Sequence, residues 1–130
     1  MIFKQVFDQK SSTYTYLIAS SKGGEALIID PVLENVEDYI KLLNELDLKL
    51  VKVIDTHIHA DHVTGAGKLK DKTKCVTIMG NHTPSDAVEI KVKDNEIIKL
   101  EKLEIRSLYT PGHTSDSFSF LMNNYLFSGD

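Results

Sequence analysis

Three patterns in this 130-residue chain predict a single α/β domain. Period-two runs fill the first thirty residues, one helical apolar stripe follows, and a β-branched run then opens into a loop dense with histidine and aspartate. A chain of this length builds one hydrophobic core, and 42% apolar with 26% charged residues is the composition of a globular protein.

The runs "IFKQVF" (2–7), "TYTYLIAS" (13–20) and "EALIID" (25–30) are separated by the turn-rich "DQKSS" and "SKGG", which predicts consecutive antiparallel strands. After Asp30-Pro31 the period changes: Val36, Tyr39, Ile40, Leu43 and Leu46 recur at helical spacing, with acids early where the helix dipole favours them. That predicts an amphipathic helix over residues 34–47, its stripe facing the core. "LKLVKVID" (48–55) has the length and β-branched content of a buried central strand. "TGAGKLKD" predicts a short helix, with Thr64 as N-cap and with Gly65 and Gly67 allowing close backbone approach. "KCVTIMG" reads as a strand, and the lone Cys75 as a small buried hydrophobe without an intrachain disulfide partner. "EIKVKDNEIIKLEKLEIR" alternates charge with apolar residues, as a sheet with one wet face requires, and a strand pair turns near residues 100–102. Finally "SFSFLM" and "YLFSGD" predict a hairpin turning at Asn123-Asn124, because asparagine tolerates positive φ.

Charge narrows the partners. The net charge is −4 and the lysines are scattered among acids, so no basic run tracks a nucleic acid. Charges interrupt every long apolar stretch, and the N-terminus lacks a basic segment followed by an unbroken apolar one; this argues against a membrane partner. The expectation is a cytoplasmic protein acting on a small soluble molecule.

The chemistry concentrates in "THIHADH" (56–62). His57 and His59 are two apart, so in extended backbone leaving a strand their rings fall on one side. Asp61 and His62 follow in a loop where a carboxylate and a third imidazole can turn toward the same point. Four such groups in six residues suit a divalent metal, since neutral imidazole is the commonest metal-binding side chain and the carboxylate adds charge. "YTPGHTSDS" (109–117) carries His113 after a Pro-Gly turn, and "FSGD" (127–130) ends on Asp130. Either segment alone is an ordinary turn. Together the three lie at the C-terminal ends of predicted strands, where α/β sheets place ligands. His82, in "GNHTPSD", is read as a solvated turn residue.

"THIHADH", "PGHT" and the terminal "SGD" resemble, in order, the three metal motifs of the metallo-β-lactamase fold. Within that superfamily "HADHVTGAG" and "PGHTSDSFSF" look most like the persulfide dioxygenases and less like the glyoxalase II hydrolases. The resemblance implies an αββα sandwich, with this chain as its N-terminal half, residues 1–130, and the C-terminal part absent. It also implies oxidation of glutathione persulfide by O2 to sulfite and glutathione at one non-haem Fe(II) per chain, held by His57, His113 and Asp130. His59, Asp61 and His62 then occupy the positions of the superfamily's second metal and act behind the ligands. No further catalytic residue and no substrate-binding residue is assigned. Two histidines and one carboxylate form a facial triad that leaves positions for O2 and sulfur, although the same ligand types accept Zn(II) or manganese. Two other readings stay open: a zinc-dependent thioester hydrolase of glyoxalase II type, and a non-catalytic metal-binding fragment or half-domain that needs a complementary chain. A half-sandwich should also expose an apolar sheet face, which invites self-association.

Overall fold

Two apolar faces on one sheet organise the protein, seen in a computed structural model that describes residues 1–58, 64–112 and 114–128. Strands β1 (Ile2–Asp8), β2 (Thr13–Ala19) and β3 (Glu25–Ile29) open the chain. A single 3-10 turn (Leu33–Asn35) leads into helix α1 (Val36–Glu45), strand β4 (Lys49–Ile54), helix α2 (Ala66–Thr73), and strands β5 (Val76–Gly80) and β6 (Ile90–Val92). Then come β7 (Ile97–Leu100), β8 (Leu103–Tyr109), β9 (Phe118–Met122) and β10 (Tyr125–Phe127).

The first sheet has the order β1-β2-β3-β4-β5-β6 and the second β10-β9-β8-β7. β1, β2 and β3 pair antiparallel, whereas β3 through β6 are parallel, so α1 and α2 serve as crossovers. Strand alternation then sorts the core. Leu17, Ala19, Ile28, Leu50 and Val53 point outward under Val36, Tyr39 and Leu43 of α1 and Leu69 of α2. Their neighbours Ile18, Leu27, Ile29 and Ile54 point inward against Ile105, Phe118 and Phe120 of the second sheet. Each such side chain, fully buried, contributes about 1.5–3 kcal/mol of transfer free energy. The described residues thus form three layers, helices on sheet on sheet. β4 sits at the centre of the first sheet with both faces covered, as its β-branched sequence predicts.

Most predicted elements form where expected, including the hairpin at Asn123, whose φ is +54°, and the burial of Cys75. Burial also pushes the Cys75 thiol above its ordinary value. Four details differ. The helix begins as a 3-10 turn, so only residues 36–45 are α-helical. The alternating segment after residue 88 does not belong to one sheet: β6 joins β5, with Thr77 Oγ1 accepting the Glu89 N–H at 3.0 Å, while β7 and β8 build the second sheet. Alternation specifies a face and is silent on which sheet receives it. The α2 N-cap position falls on Gly65, because the Thr64 hydroxyl is drawn back to Asp55 while still accepting the Ala66 N–H at 3.2 Å. Gly65 does need its missing side chain, since a Cβ there would lie 2.8 Å from Val36 Cγ2, but Gly67 faces open space. On the outer face of the second sheet Leu126, Leu121, Arg106 and Ile97 lie side by side, with Leu126 58% exposed.

Candidate metal centre

The parallel pairing of β3 with β4 brings Asp30 and Asp55, the residues just past each strand, to the same edge of the first sheet. Both are buried, together with Thr56 and His57. Polar groups this deep persist because they are hydrogen-bonded to one another. Asp30 Oδ1 accepts the Thr56 N–H at 2.8 Å and Asp30 Oδ2 accepts the Thr56 hydroxyl at 2.8 Å. The Asp30 backbone is left-handed, φ +55°, a conformation aspartate tolerates better than most residues. Its N–H bonds to Ile54 O, and its carbonyl accepts the Thr15 hydroxyl at 2.7 Å. Both oxygens of Asp55 accept from Thr64 Oγ1 at 2.9 Å, which ties the start of α2 to the end of β4.

These bonds bear on which nitrogen of His57 carries its proton. Thr56 Oγ1 lies 2.9 Å from His57 Nδ1. The Thr56 hydroxyl has one proton, and the Asp30 carboxylate, an acceptor only, takes it. We therefore assign the proton between Thr56 and His57 to Nδ1–H, which puts the imidazole lone pair on Nε2. That is the tautomer that ligation through Nε2 needs, with the second nitrogen oriented by a carboxylate-backed donor and acceptor chain. Asp30, Asp55 and Asp116 also place three buried carboxylates around this segment, and negative charge favours a cation. His57, the one expected ligand among the described residues, therefore fits a divalent metal.

The second sheet reaches the same place. Phe118 N–H donates to Thr56 O at 2.9 Å, and Ile58 N–H donates to Asp116 Oδ2 at 2.8 Å. Phe118 packs against Gly80, where an added Cβ would come within 2.0 Å of its ring, so glycine is what lets the two sheets close here. A cavity of about 540 Å³ opens beside His57, walled by Asp55, Thr64, Ile78, Met79 and Val88 among others. His82, expected as a solvated turn residue, is exposed but stacks face to face on Tyr109, with centroids 3.8 Å apart and planes at 5°.

Of the site residues expected from sequence, His57 is placed: buried, lining the cavity, with its Nδ1 engaged. His59, Asp61, His62, His113 and Asp130 lie outside the described residues. Among the described residues no three His, Cys, Asp or Glu side chains gather as a metal site. Sequence reasoning missed Asp30, Thr56 and Asp116. A signal for Asp30 existed, an acid ending an apolar strand at the edge that carries the histidines; nothing local announces Asp116, whose partner is 58 residues away.

Residues 9–130 match the model of the metallo-β-lactamase superfamily, and the chain belongs to that superfamily. It is similar to the mitochondrial persulfide dioxygenase ETHE1 of Bos taurus, 34% identical over 133 residues, covering 100% of this chain and 52% of that protein. A hydroxyacylglutathione hydrolase of Buchnera aphidicola is 38% identical over 105 residues, covering 80% of this chain and 41% of that protein. The crystal structure of ETHE1 from Myxococcus xanthus superposes with a TM-score of 0.93 at 41% identity, over 98% of this chain and 56% of that one. The chain spans about half the length of the curated relatives it matches. No helix among the described residues is long and apolar enough to cross a membrane.

Proposed function

We propose that the protein is a persulfide dioxygenase, oxidising glutathione persulfide with O2 at one Fe(II) held by His57, His113 and Asp130. The observation that carries this reading is the similarity to ETHE1 proteins along the whole chain, in sequence and in structure. The reaction balances as glutathione persulfide, O2 and water giving glutathione, sulfite and two protons, the outer sulfur releasing four electrons to O2. Bound Fe(II) would supply a site where O2 and the persulfide sulfur meet. The protein's part is positional. Asp30 and Thr56 hold His57 in its Nε2-presenting tautomer, and the bonds of Phe118 N–H to Thr56 O and of Ile58 N–H to Asp116 hold the backbone on either side of it. His59, Asp61 and His62 are proposed to support the ligands.

The match to hydroxyacylglutathione hydrolase favours a second reading, a zinc-dependent thioester hydrolase built on the same motifs. Metal analysis of anaerobically purified protein, then O2 uptake with glutathione persulfide, separates the two. Iron with stoichiometric O2 uptake supports the dioxygenase. Bound zinc with cleavage of S-lactoylglutathione replaces it with the hydrolase, and metal without either turnover reduces the chain to a metal-binding half-domain.

A further inference from the structure

We infer that Asp116 is a positioning residue of the metal centre: its carboxylate latches the β8–β9 connection onto the backbone between His57 and His59. This rests on the reading of His57 and His113 as ligands of one metal, and extends it to a residue that is itself no ligand.

Asp116 is buried, 6% exposed, and its Oδ2 accepts the Ile58 N–H at 2.8 Å. Two residues earlier, Thr56 O accepts the Phe118 N–H at 2.9 Å. Thr56 and Ile58 flank His57, and Asp116 and Phe118 are likewise two apart, so the two bonds act as successive rungs of one ladder. A side-chain carboxylate stands where a second backbone carbonyl would otherwise be needed. The bond is charge-assisted, roughly twice as strong as a neutral one. In sequence Asp116 follows His113 by three residues and Ile58 precedes His59 by one. The latch therefore joins the two segments that supply ligands from different sheets.

Two bonds brace the described residues beside Asp116. Thr114 Oγ1 and Ser117 Oγ lie 2.6 Å apart, and Tyr109 Oη donates to Ser115 O at 2.9 Å. Tyr109 is clamped in turn by the parallel ring of His82, so the turn after β5 backs the connection after β8. A braced carboxylate transmits position, whereas an unbraced one would follow its partner.

The test uses the intact apo-protein and Co(II) as probe, with affinity from chelator competition and geometry from the visible absorption of bound Co(II). Asp116→Ala should weaken Co(II) binding about 10–100-fold, the usual effect of losing a group that orients metal ligands, and should alter the absorption bands. Asp116→Asn keeps an oxygen acceptor on the same stem and should restore the bands and most of the affinity. Should the alanine variant fail to fold, Asp116→Ser, with a shorter acceptor, is read in its place and should weaken binding likewise. An unchanged affinity and spectrum in the folded alanine or serine variant, even with lowered apo stability, overturns the proposal, because a merely structural contact behaves that way. Equal weakening by Asn and Ala overturns it too, since charge and not position would then matter. Wild-type protein that binds no Co(II) overturns the metal reading beneath it, a result distinct from either of these.

Discussion

Two of the joints between the sheets work by opposite means. At one edge the joint is aromatic: Phe3 of β1 stacks on Tyr125 of β10 at 5.0 Å, and Tyr16 of β2 meets Phe127 at 4.8 Å. Beside His57 the joint is polar, made of the Phe118–Thr56 and Ile58–Asp116 bonds and backed by Asp30. Ring contacts are broad and non-directional, so an aromatic joint holds while its parts shift. Hydrogen bonds weaken steeply with distance and angle, so a polar joint fixes backbone position tightly. The contrast teaches that the end needing precise geometry for a metal is the one built from buried polar groups.

The contrast can be broken most forcefully at Asp30. Asp30→Ala removes two charge-assisted bonds to Thr56 and leaves alanine in a left-handed backbone; we expect about 3 kcal/mol of lost stability, read by urea unfolding, together with sharply weaker metal binding. Retention of wild-type metal affinity would show that the His57 tautomer needs no such backing. Next, Gly80→Ala forces a methyl into the Phe118 ring and should cost about 2–3 kcal/mol by overpacking. Because Phe118 also carries a polar rung, Co(II) affinity should fall with it; a drop in stability alone would place the rung outside the metal's influence.

Phe3→Ala tests the other joint. The ring is half-buried, so the loss should be about 1–2 kcal/mol, with Co(II) affinity unchanged. A fall in affinity would mean that the aromatic edge also positions the site. Smallest is an acid effect far from both joints. Lys72, 3.1 Å from Glu37, holds that carboxyl below its usual 4.5, with Lys68 adding to it, and Lys70 does the same to Glu89 at 3.0 Å. A carboxyl lowered in the folded state stabilises above the unfolded value and loses that contribution as pH falls from 4.5 through the folded one. Lys72→Ala should therefore lower the urea midpoint slightly at neutral pH and flatten the slight drop below pH 4.5, the whole effect being small because these pairs are exposed and salt-screened. A large effect at neutral pH would refute the assignment.

Much of this molecule is legible locally. Strand alternation, the helical stripe from Val36 to Leu43 and the Asn123 turn depend on near neighbours in sequence, so composition and period suffice for them. His57 stands out because three histidines crowd six positions. β6 did not stand out, because choosing between two sheets is a long-range decision.

By itself the sequence determined the order of elements, the faces they bury and the histidine-rich motif that marks the superfamily, all set by neighbours a few positions apart. Tertiary structure alone decided which residues stand behind His57. Asp30 reaches Thr56 across 26 positions and Asp116 reaches Ile58 across 58, and no local pattern encodes a pairing made only when parallel strands and a second sheet bring the ends together. The physical reason is that a buried carboxylate finds its donor through the packing of whole layers, after each layer's own sequence has been satisfied.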